Sequence, residues 1–175
     1  MAQNVSAPPP PSDKDEVFEA MEKLLRDSQV VRSGHFIAAQ HKDRTLKILG
    51  VCVVVLNILI TSGLIEAAVT DQKAITISIK LLAFLAAALA GIQGFFNFQK
   101  IVECHTRSGG VYSSINRRLQ IVMANYEENP GNRADLINEF KALSAEYLKA
   151  NDDATACIPS DRDFEKARAA IKARE

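Results

Sequence analysis

The sequence predicts an all-α integral membrane protein, in which a two-transmembrane helical hairpin has amphipathic cytoplasmic helices before and after it. Residues 48–65 and 81–98 each form an uncharged apolar run of 18 residues. Apolar residues outside these runs recur at helical spacing. The chain has 21 basic residues (lysine and arginine) and 21 acidic residues (aspartate and glutamate), and all of them lie outside the two runs. The mean hydropathy of −0.02 therefore conceals two segments suited to a membrane.

Residues 1–12 are expected to form a disordered, proline-rich lead, because they contain the stretch SAPPPPS. A solvated tail is favoured over a proline-rich ligand for a partner protein. The lead has no basic segment followed by an apolar run, so it does not resemble a signal peptide.

The first helix is predicted to begin next to Ser12, where Asp15 follows three residues later in the pattern of a capping box. Gly34 is expected to break or bend this helix before the membrane. One side of the helix is predicted to pack on a core, because it carries apolar residues at helical spacing: Val17, Phe18, Met21, Leu24, Leu25 and Val31.

The two apolar runs predict membrane spans at about 46–65 and 79–98. A helix of 18 residues is about 27 Å long, close to the hydrocarbon core of about 30 Å. A core helix of a small soluble protein normally keeps a polar stripe, and neither run has one of charged residues. A transmembrane hairpin is therefore favoured over the buried hairpin of a soluble helical bundle.

Basic residues flank the hairpin at its two outer ends. The connecting stretch between the runs has only Lys73 and Lys80. Because basic flanks tend to stay in the cytoplasm, both termini are expected to be cytoplasmic, with a loop of about 15 residues outside. The flanking basic residues are Arg32, Lys42, Arg44, Lys47, Lys100, Arg107, Arg117 and Arg118.

The runs also contain a polar stripe and a set of small residues. The stripe either lines a water-filled path between subunits or makes hydrogen bonds between helices; its members are Asn57, Thr61, Gln93 and Asn97. Small residues four apart allow helices to approach closely in a membrane; they are Ala83, Ala86, Ala87, Ala90, Gly91 and Gly94. Because a single hairpin has little to pack on except copies of itself, a homo-oligomer in contact with membrane lipid is expected.

After the second run, a coiled-coil-like seam with a repeat of 3.5 residues is predicted from Ile101 to Tyr126. This helix is expected to continue directly from the membrane into the cytosol. The Gly109-Gly110 pair in it is either a hinge or a close packing point, and the packing point is favoured.

The carboxyl-terminal part predicts two further helices. An amphipathic helix is expected from Leu136 to Leu148. Residues 151–175 are expected to form a loop, NDDATACIPS, and a short last helix capped by Ser160.

No pattern typical of an enzyme is present, and no catalytic, cofactor or metal site is predicted. The sequence lacks a glycine-rich phosphate loop and a zinc-type Cys/His spacing. The charge balance gives no basic excess, so no nucleic-acid binding is predicted. Three cysteines, Cys52, Cys104 and Cys157, are far apart and odd in number, which favours a reduced setting over a disulfide framework.

Two histidines lie near the predicted membrane–cytosol boundary. His35, Glu103 and His105 can meet across helices, and with Tyr112 they are the predicted juxtamembrane contacts. A hydrogen bond between helices or a protonation-sensitive contact is favoured over a metal role, because no carboxylate or thiol cluster accompanies the histidines in the sequence.

This layout resembles the SLATT family of two-transmembrane effector modules in bacterial conflict systems. The resemblance covers roughly residues 15–150 of a predicted domain 13–150. It rests on a juxtamembrane helix, SGHFIAAQHKDRTLKILG, two membrane runs and a following helix, FQKIVECHTRSGGVYSSINRRLQ. The Gly109-Gly110 pair departs from the alanine-rich helix expected at that point. The matching residues are His35, Glu103, His105, Tyr112, Arg118 and Leu119.

The resemblance implies an oligomeric effector in the inner (cytoplasmic) membrane of a bacterium. Such an effector forms a pore or disrupts the membrane, and it arrests or kills the infected cell in antiviral defence. Its trigger is expected from a nucleotide-signalling or sensor protein partner, or from a ligand bound by the cytoplasmic helices. The alternative is a non-conducting structural anchor or adaptor for a cytoplasmic signalling partner.

Overall fold

A computed structural model describes residues 13–70, 73–128 and 133–174 of the chain. Every regular element in these ranges is a helix, so the predicted all-α class is confirmed. The predicted lead, residues 1–12, lies outside the described residues. In chain order the elements are α1 (Asp13–Thr70), α2 (Lys73–Phe96), α3 (Phe98–Glu128), α4 (Arg133–Asp153), a 3₁₀ turn (Ala154–Cys157) and α5 (Asp161–Lys172).

The first part of α1 packs with α3, α4 and α5 as a helical bundle. Alternating steps of three and four residues bring one side of α3 into this core, as the predicted 3.5-residue repeat requires. The buried core residues come from α1, α3 and α4: Met21, Tyr112, Ile115, Leu119, Leu136, Leu143 and Ala150. A buried polar contact crosses the same core, where the Ser28 hydroxyl donates to the Asn116 side-chain oxygen.

The second part of α1 pairs with α2 as an antiparallel hairpin. Gly63 lies against Ile79, whose Cγ1 would be 3.0 Å from a Cβ added at Gly63. Nearer the bundle, a Cβ added at Gly50 would lie 3.8 Å from Gln93 Nε2. These two contacts fix the register of the pair.

Two helical stretches are long and apolar enough to cross a membrane by length and composition, Glu16–Leu64 and Lys73–Glu128. In the first stretch, 0% of the most apolar window of 18 residues is buried inside the chain. In the second stretch, 11% of the corresponding window is buried. A core helix of a soluble protein would be mostly buried. The hairpin thus leaves its apolar surface uncovered by the rest of the described chain.

Three local predictions about breaks in the helices are wrong. The predicted outer loop of about 15 residues is largely helical, since α1 runs to Thr70 and α2 begins at Lys73. Gly34 does not break α1; instead α5 packs closely there, and a Cβ at Gly34 would be 3.0 Å from the Phe164 ring. The predicted loop NDDATACIPS is mostly helical, because α4 continues to Asp153 and a 3₁₀ turn follows.

The helix predicted to continue from the membrane into the cytosol is interrupted at Asn97. The backbone of Asn97 has a φ of 43°, in the left-handed region. Asparagine tolerates this conformation better than most residues. The Asn97 carbonyl accepts from the Lys100 amide at 3.0 Å, so α3 starts immediately after the break. A kink at Asn97 therefore separates α2 from α3.

The Gly109-Gly110 pair allows a direct test of the packing interpretation. A Cβ at Gly109 would meet the Phe36 ring at 3.0 Å, whereas one at Gly110 would meet nothing within 4 Å. Gly110→Ala is expected to stabilise the protein by about 1 kcal/mol through helix propensity. Gly109→Ala should gain less, because the Phe36 ring has to move. Thermal unfolding of both variants in detergent checks the order, and an equal gain would contradict close packing at Gly109.

Candidate functional site

The four predicted polar residues of the hairpin do not come together within one chain. Gln93 is half-buried between the two helices and faces Gly50. Asn57 and Thr61 are exposed, and the Thr61 hydroxyl donates to the Asn57 carbonyl of its own helix at 2.8 Å. Asn97 is exposed at the kink. Three of the four side chains are therefore available to lipid, water or another chain.

The small residues of α2 divide in the same way. Ala86 is buried against α1. Added Cβ atoms at Gly91 and Gly94 would meet nothing within 4 Å. The exposed members of the set are Ala83, Ala87, Ala90, Gly91 and Gly94. Most of the predicted helix-packing surface thus has no partner within the described chain.

The hairpin has two different sides. Successive residues of a helix are about 100° apart around its axis. Measured around the α1 axis from the direction that faces α2, Asn57 lies at about 60° and Thr61 at about 100°, both on the same side. Measured around the α2 axis from the direction that faces α1, Ala83, Ala90 and Gly94 lie at about 60–100° to one side. Because both helices are right-handed and antiparallel, these two sets fall on the same side of the hairpin, the small-polar side.

The other side, the bulky side, carries exposed large apolar residues from both helices, whereas on the small-polar side the exposed large residues, Val54 and Leu64, come from α1. Ile48 and Leu59 of α1 and Leu85 and Ile92 of α2 project from the bulky side and are exposed. Long apolar side chains suit contact with lipid tails, whereas small residues suit contact with another helix. The two sides of the hairpin are therefore suited to different neighbours.

The bundle end of the hairpin contains a buried histidine pair, and these two residues come together as the sequence analysis expected. His35 Nδ1 of α1 lies 3.2 Å from His105 Nδ1 of α3. The His35 ring stacks on Tyr112, with centroids 5.6 Å apart, and the Tyr112 hydroxyl donates to Asn151 Oδ1 at 2.6 Å. Glu103 is exposed and is not part of this contact.

Burial sets the protonation of this cluster. Burial, with a smaller contribution from the nearby His105, lowers the pKa of His35 to about 4. Burial also lowers the pKa of His105, with a raising contribution from Asp163 and a lowering one from Lys42. Burial, with a smaller contribution from Tyr147, raises the pKa of Tyr112 to about 12. The cluster is therefore neutral at pH 7.

A disulfide lies beside the histidine pair, so two of the cysteines are oxidised in this structure, whereas the sequence favoured a reduced setting over a disulfide framework. Cys104 of α3 is bonded to Cys157 of the 3₁₀ turn, across 53 positions of sequence and a Cα–Cα distance of 6.1 Å. The antiparallel return of α4 brings the two cysteines together, which their spacing in the sequence cannot reveal. Cys52 in the hairpin is free and exposed.

A cleft of about 510 Å³ next to the hairpin is lined by several basic residues, among them Lys42, Arg44 and Arg162. At its edge, His41 Nδ1 lies 2.7 Å from Asp163 Oδ1. Asp163 also completes the capping box of α5, where it accepts from the Ser160 amide. Ser160 thus caps α5 as predicted, while the role of Asp163 was missed because its partner His41 is 122 positions away.

Asp163→Asn is expected to destabilise the protein by about 1–2 kcal/mol at pH 7. Burial of Asp163 raises its pKa, but hydrogen bonds from Ser160 and His41 outweigh this and lower the pKa below its ordinary value of 3.8. A lowered pKa in the folded state stabilises the protein above pH 3.8, and this stabilisation disappears as the pH falls through the folded value.

Thermal unfolding of wild type and Asp163→Asn as a function of pH tests this. The difference between them should be largest near neutral pH and should shrink as the pH falls below 4. Asp161→Asn, an exposed change in the same helical turn, is the control and should stay within about 0.5 kcal/mol of wild type. A difference for Asp163→Asn that does not vary with pH would contradict the charged contact.

Comparisons with models of known protein families, with curated proteins and with solved structures found no match to this chain. The resemblance to the SLATT family therefore stays a prediction based on the residues.

Proposed function

We propose that this chain is an oligomeric membrane effector that forms a pore or disrupts the membrane. The observation that carries the proposal is the exposed apolar surface of the hairpin, with window burials of only 0% and 11%. Contiguous apolar surface on this scale, in water, favours aggregation or membrane insertion. Insertion of the hairpin into a bilayer covers this surface with lipid.

The difference between the two sides of the hairpin supports oligomerisation. The bulky side suits lipid, and the small-polar side suits a second helix. Association through the small-polar side places Asn57 and Thr61 at the contact between copies or around an axis that the copies share. A ring of such hairpins would surround a polar path without any charged residue inside the two apolar runs, 48–65 and 81–98.

The proposed effector acts in the inner membrane of a bacterium, with both termini and the helical bundle in the cytoplasm. Basic flanks at the outer ends of the hairpin favour this orientation. In line with the SLATT resemblance, the bundle receives a signal from a nucleotide-signalling or sensor partner and the hairpins then permeabilise the membrane. The outcome is growth arrest or death of the infected cell in antiviral defence.

Dye release from liposomes tests the proposal on purified protein. At high protein density, where mass action favours assembly of the hairpins even without the signal, liposomes containing the reconstituted chain should release a trapped small dye. Strong induced expression in bacteria should likewise depolarise the membrane and arrest growth. Stable insertion with full retention of dye, and cells that stay polarised and grow under activating conditions, would overturn the pore and favour the non-conducting anchor.

Two variants of polar residues on α1 sharpen this test. Asn57→Leu on the small-polar side is expected to reduce dye release at least about tenfold, because it removes an amide from the contact between copies. Ser62→Leu on the same helix is the control, since Ser62 projects away from α2 and its hydroxyl donates to the Ile58 carbonyl of its own helix. The polar side chain of Asn97 is best removed by the substitution Asn97→Gly, because glycine tolerates the left-handed backbone at this position. Equal release by Asn57→Leu and Ser62→Leu would contradict a polar path on that side.

A further inference from the structure

We propose that His35, His105 and Cys157 form a zinc site when the disulfide between Cys104 and Cys157 is reduced. The three residues come from α1, α3 and the 3₁₀ turn, and their ligand atoms all lie within 4.8 Å of one another. The inference does not depend on what the hairpin does in a membrane.

The donor set is one that zinc prefers. Two imidazole nitrogens and a thiolate sulfur are common zinc ligands, with Zn–N of about 2.0–2.1 Å and Zn–S of about 2.3 Å. Tetrahedral coordination at these lengths separates two nitrogens by about 3.3 Å. The two Nδ1 atoms are 3.2 Å apart and face one another. An ion bound between them therefore leaves the rings close to where they already lie.

The sulfur needs only a small adjustment. The same bond lengths place a nitrogen and the sulfur about 3.5 Å apart, against an upper bound of 4.8 Å here. A rotation of the Cys157 side chain covers such a difference once its bond to Cys104 is broken. All three residues are buried, with exposed fractions of 2% for His35, 3% for His105 and 5% for Cys157, so a bound ion would be shielded from bulk water.

Cys104 is assigned as the redox partner of Cys157 and not as a ligand. Cys104 and His105 are consecutive on α3, and consecutive helical residues point about 100° apart. With His105 directed at the site, the fourth position of zinc is left to a water molecule. The chemistry that opens the site is a thiol exchange: a dithiol reductant becomes a disulfide, and Cys104 and Cys157 each gain a hydrogen as thiols.

Zinc binding then releases one proton, because Zn²⁺ displaces it from the Cys157 thiol. The oxidised and metal-bound states exclude one another, since the same sulfur is required by both. In a reducing cytoplasm, where disulfides rarely persist, the thiol state and hence the metal site would be the resident form.

The test is titration of the full-length protein in detergent with Co²⁺, which reports thiolate ligation by a charge-transfer band, followed by competition with Zn²⁺. Oxidised wild type should bind neither ion at this site. After reduction with a phosphine, it should bind one ion per chain and show the thiolate band. Circular dichroism at each step verifies that the helices are intact.

Two serine variants form a matched pair, because both abolish the disulfide but only one removes a ligand. Cys104→Ser should bind the ion without any reductant, while Cys157→Ser should bind at least about 100-fold more weakly under either condition. His105→Gln should weaken binding similarly. Equal affinity of the two serine variants, or a folded and reduced wild type that binds no ion, would overturn the proposal.

Discussion

Leu59→Lys is expected to abolish stable membrane integration, whereas Leu148→Lys leaves localisation and fold unchanged. Both leucines are exposed in the folded chain, Leu59 by 50% and Leu148 by 63%. Leu59 is near the middle of the first apolar run and projects from the bulky side of the hairpin, while Leu148 is in α4 of the bundle. The same substitution at two exposed sites thus tests the solvent around each.

Lipid and water give opposite expectations for Leu59. At the centre of a membrane helix, lysine costs about 2.5–3.5 kcal/mol, and the lost leucine adds about 0.5 kcal/mol. In water, the same change would replace an exposed apolar side chain by a charged one, with an effect within about 0.5 kcal/mol and better solubility. The two environments therefore differ by about 3 kcal/mol or more in their response.

Carbonate extraction of membranes from expressing cells provides the measurement. Wild type and Leu148→Lys should stay in the membrane pellet, and Leu59→Lys should be extracted, aggregated or degraded. If wild-type protein is extracted, or if Leu59→Lys yields more soluble protein than wild type, the hairpin is not a membrane hairpin.

The features predicted well from the sequence are those set by local patterns. Uninterrupted apolar length marked the two candidate spans, and a repeat of 3.5 residues marked the side of α3 that is buried at Tyr112, Ile115 and Leu119. The meeting of His35 and His105 followed from antiparallel helices that pass the same boundary. In each case the relevant residues are close in sequence or are related by simple helical geometry.

The features that sequence reasoning missed depend on where the chain returns. The Cys104–Cys157 disulfide and the His41–Asp163 contact both require α4 to run back along α3 and α5 to cross α1. Nothing in the spacing of these residues specifies that path. Gly34 was misinterpreted for the same reason, because only the Phe164 ring of α5 shows that the missing side chain makes room for a neighbouring helix.

Helix boundaries were missed for an energetic reason. The chain continues helically through Ala67 and Ala68, which are strong helix formers, even though the apolar run has ended. Conversely, α2 and α3 are separated at Asn97 by one residue in a left-handed conformation. A run of apolar residues therefore indicates what a helix contacts, and not where the helix ends.

Tyr112→Ala is expected to destabilise the bundle by about 3–5 kcal/mol, the largest effect of any single truncation proposed for this chain. The ring is buried to 1% exposure. It stacks on His35 of α1 and makes an edge contact with Tyr147 of α4, at a centroid distance of 5.7 Å. Its loss leaves a cavity where three helices meet, directly beside the histidine pair.

Two phenylalanine variants separate the ring from the hydroxyl. Tyr112→Phe keeps the ring and loses only the hydrogen bond to Asn151, so it should cost about 1 kcal/mol. Tyr126→Phe is the matched control, because the Tyr126 hydroxyl is buried without a hydrogen-bond partner in the described part of the chain. Its removal should be neutral or stabilising, since a desolvated hydroxyl is eliminated.

Chemical denaturation of the three variants in detergent gives the order of stabilities. We expect Tyr126→Phe to be the most stable, followed by Tyr112→Phe and then Tyr112→Ala. This order would assign most of the stabilisation to the Tyr112 ring, which joins α1, α3 and α4. A Tyr112→Phe loss as large as that of Tyr112→Ala would instead assign it to the hydroxyl and Asn151. A neutral Tyr112→Ala would contradict the packing at this junction, since the bundle could not then depend on the residue that fills its centre.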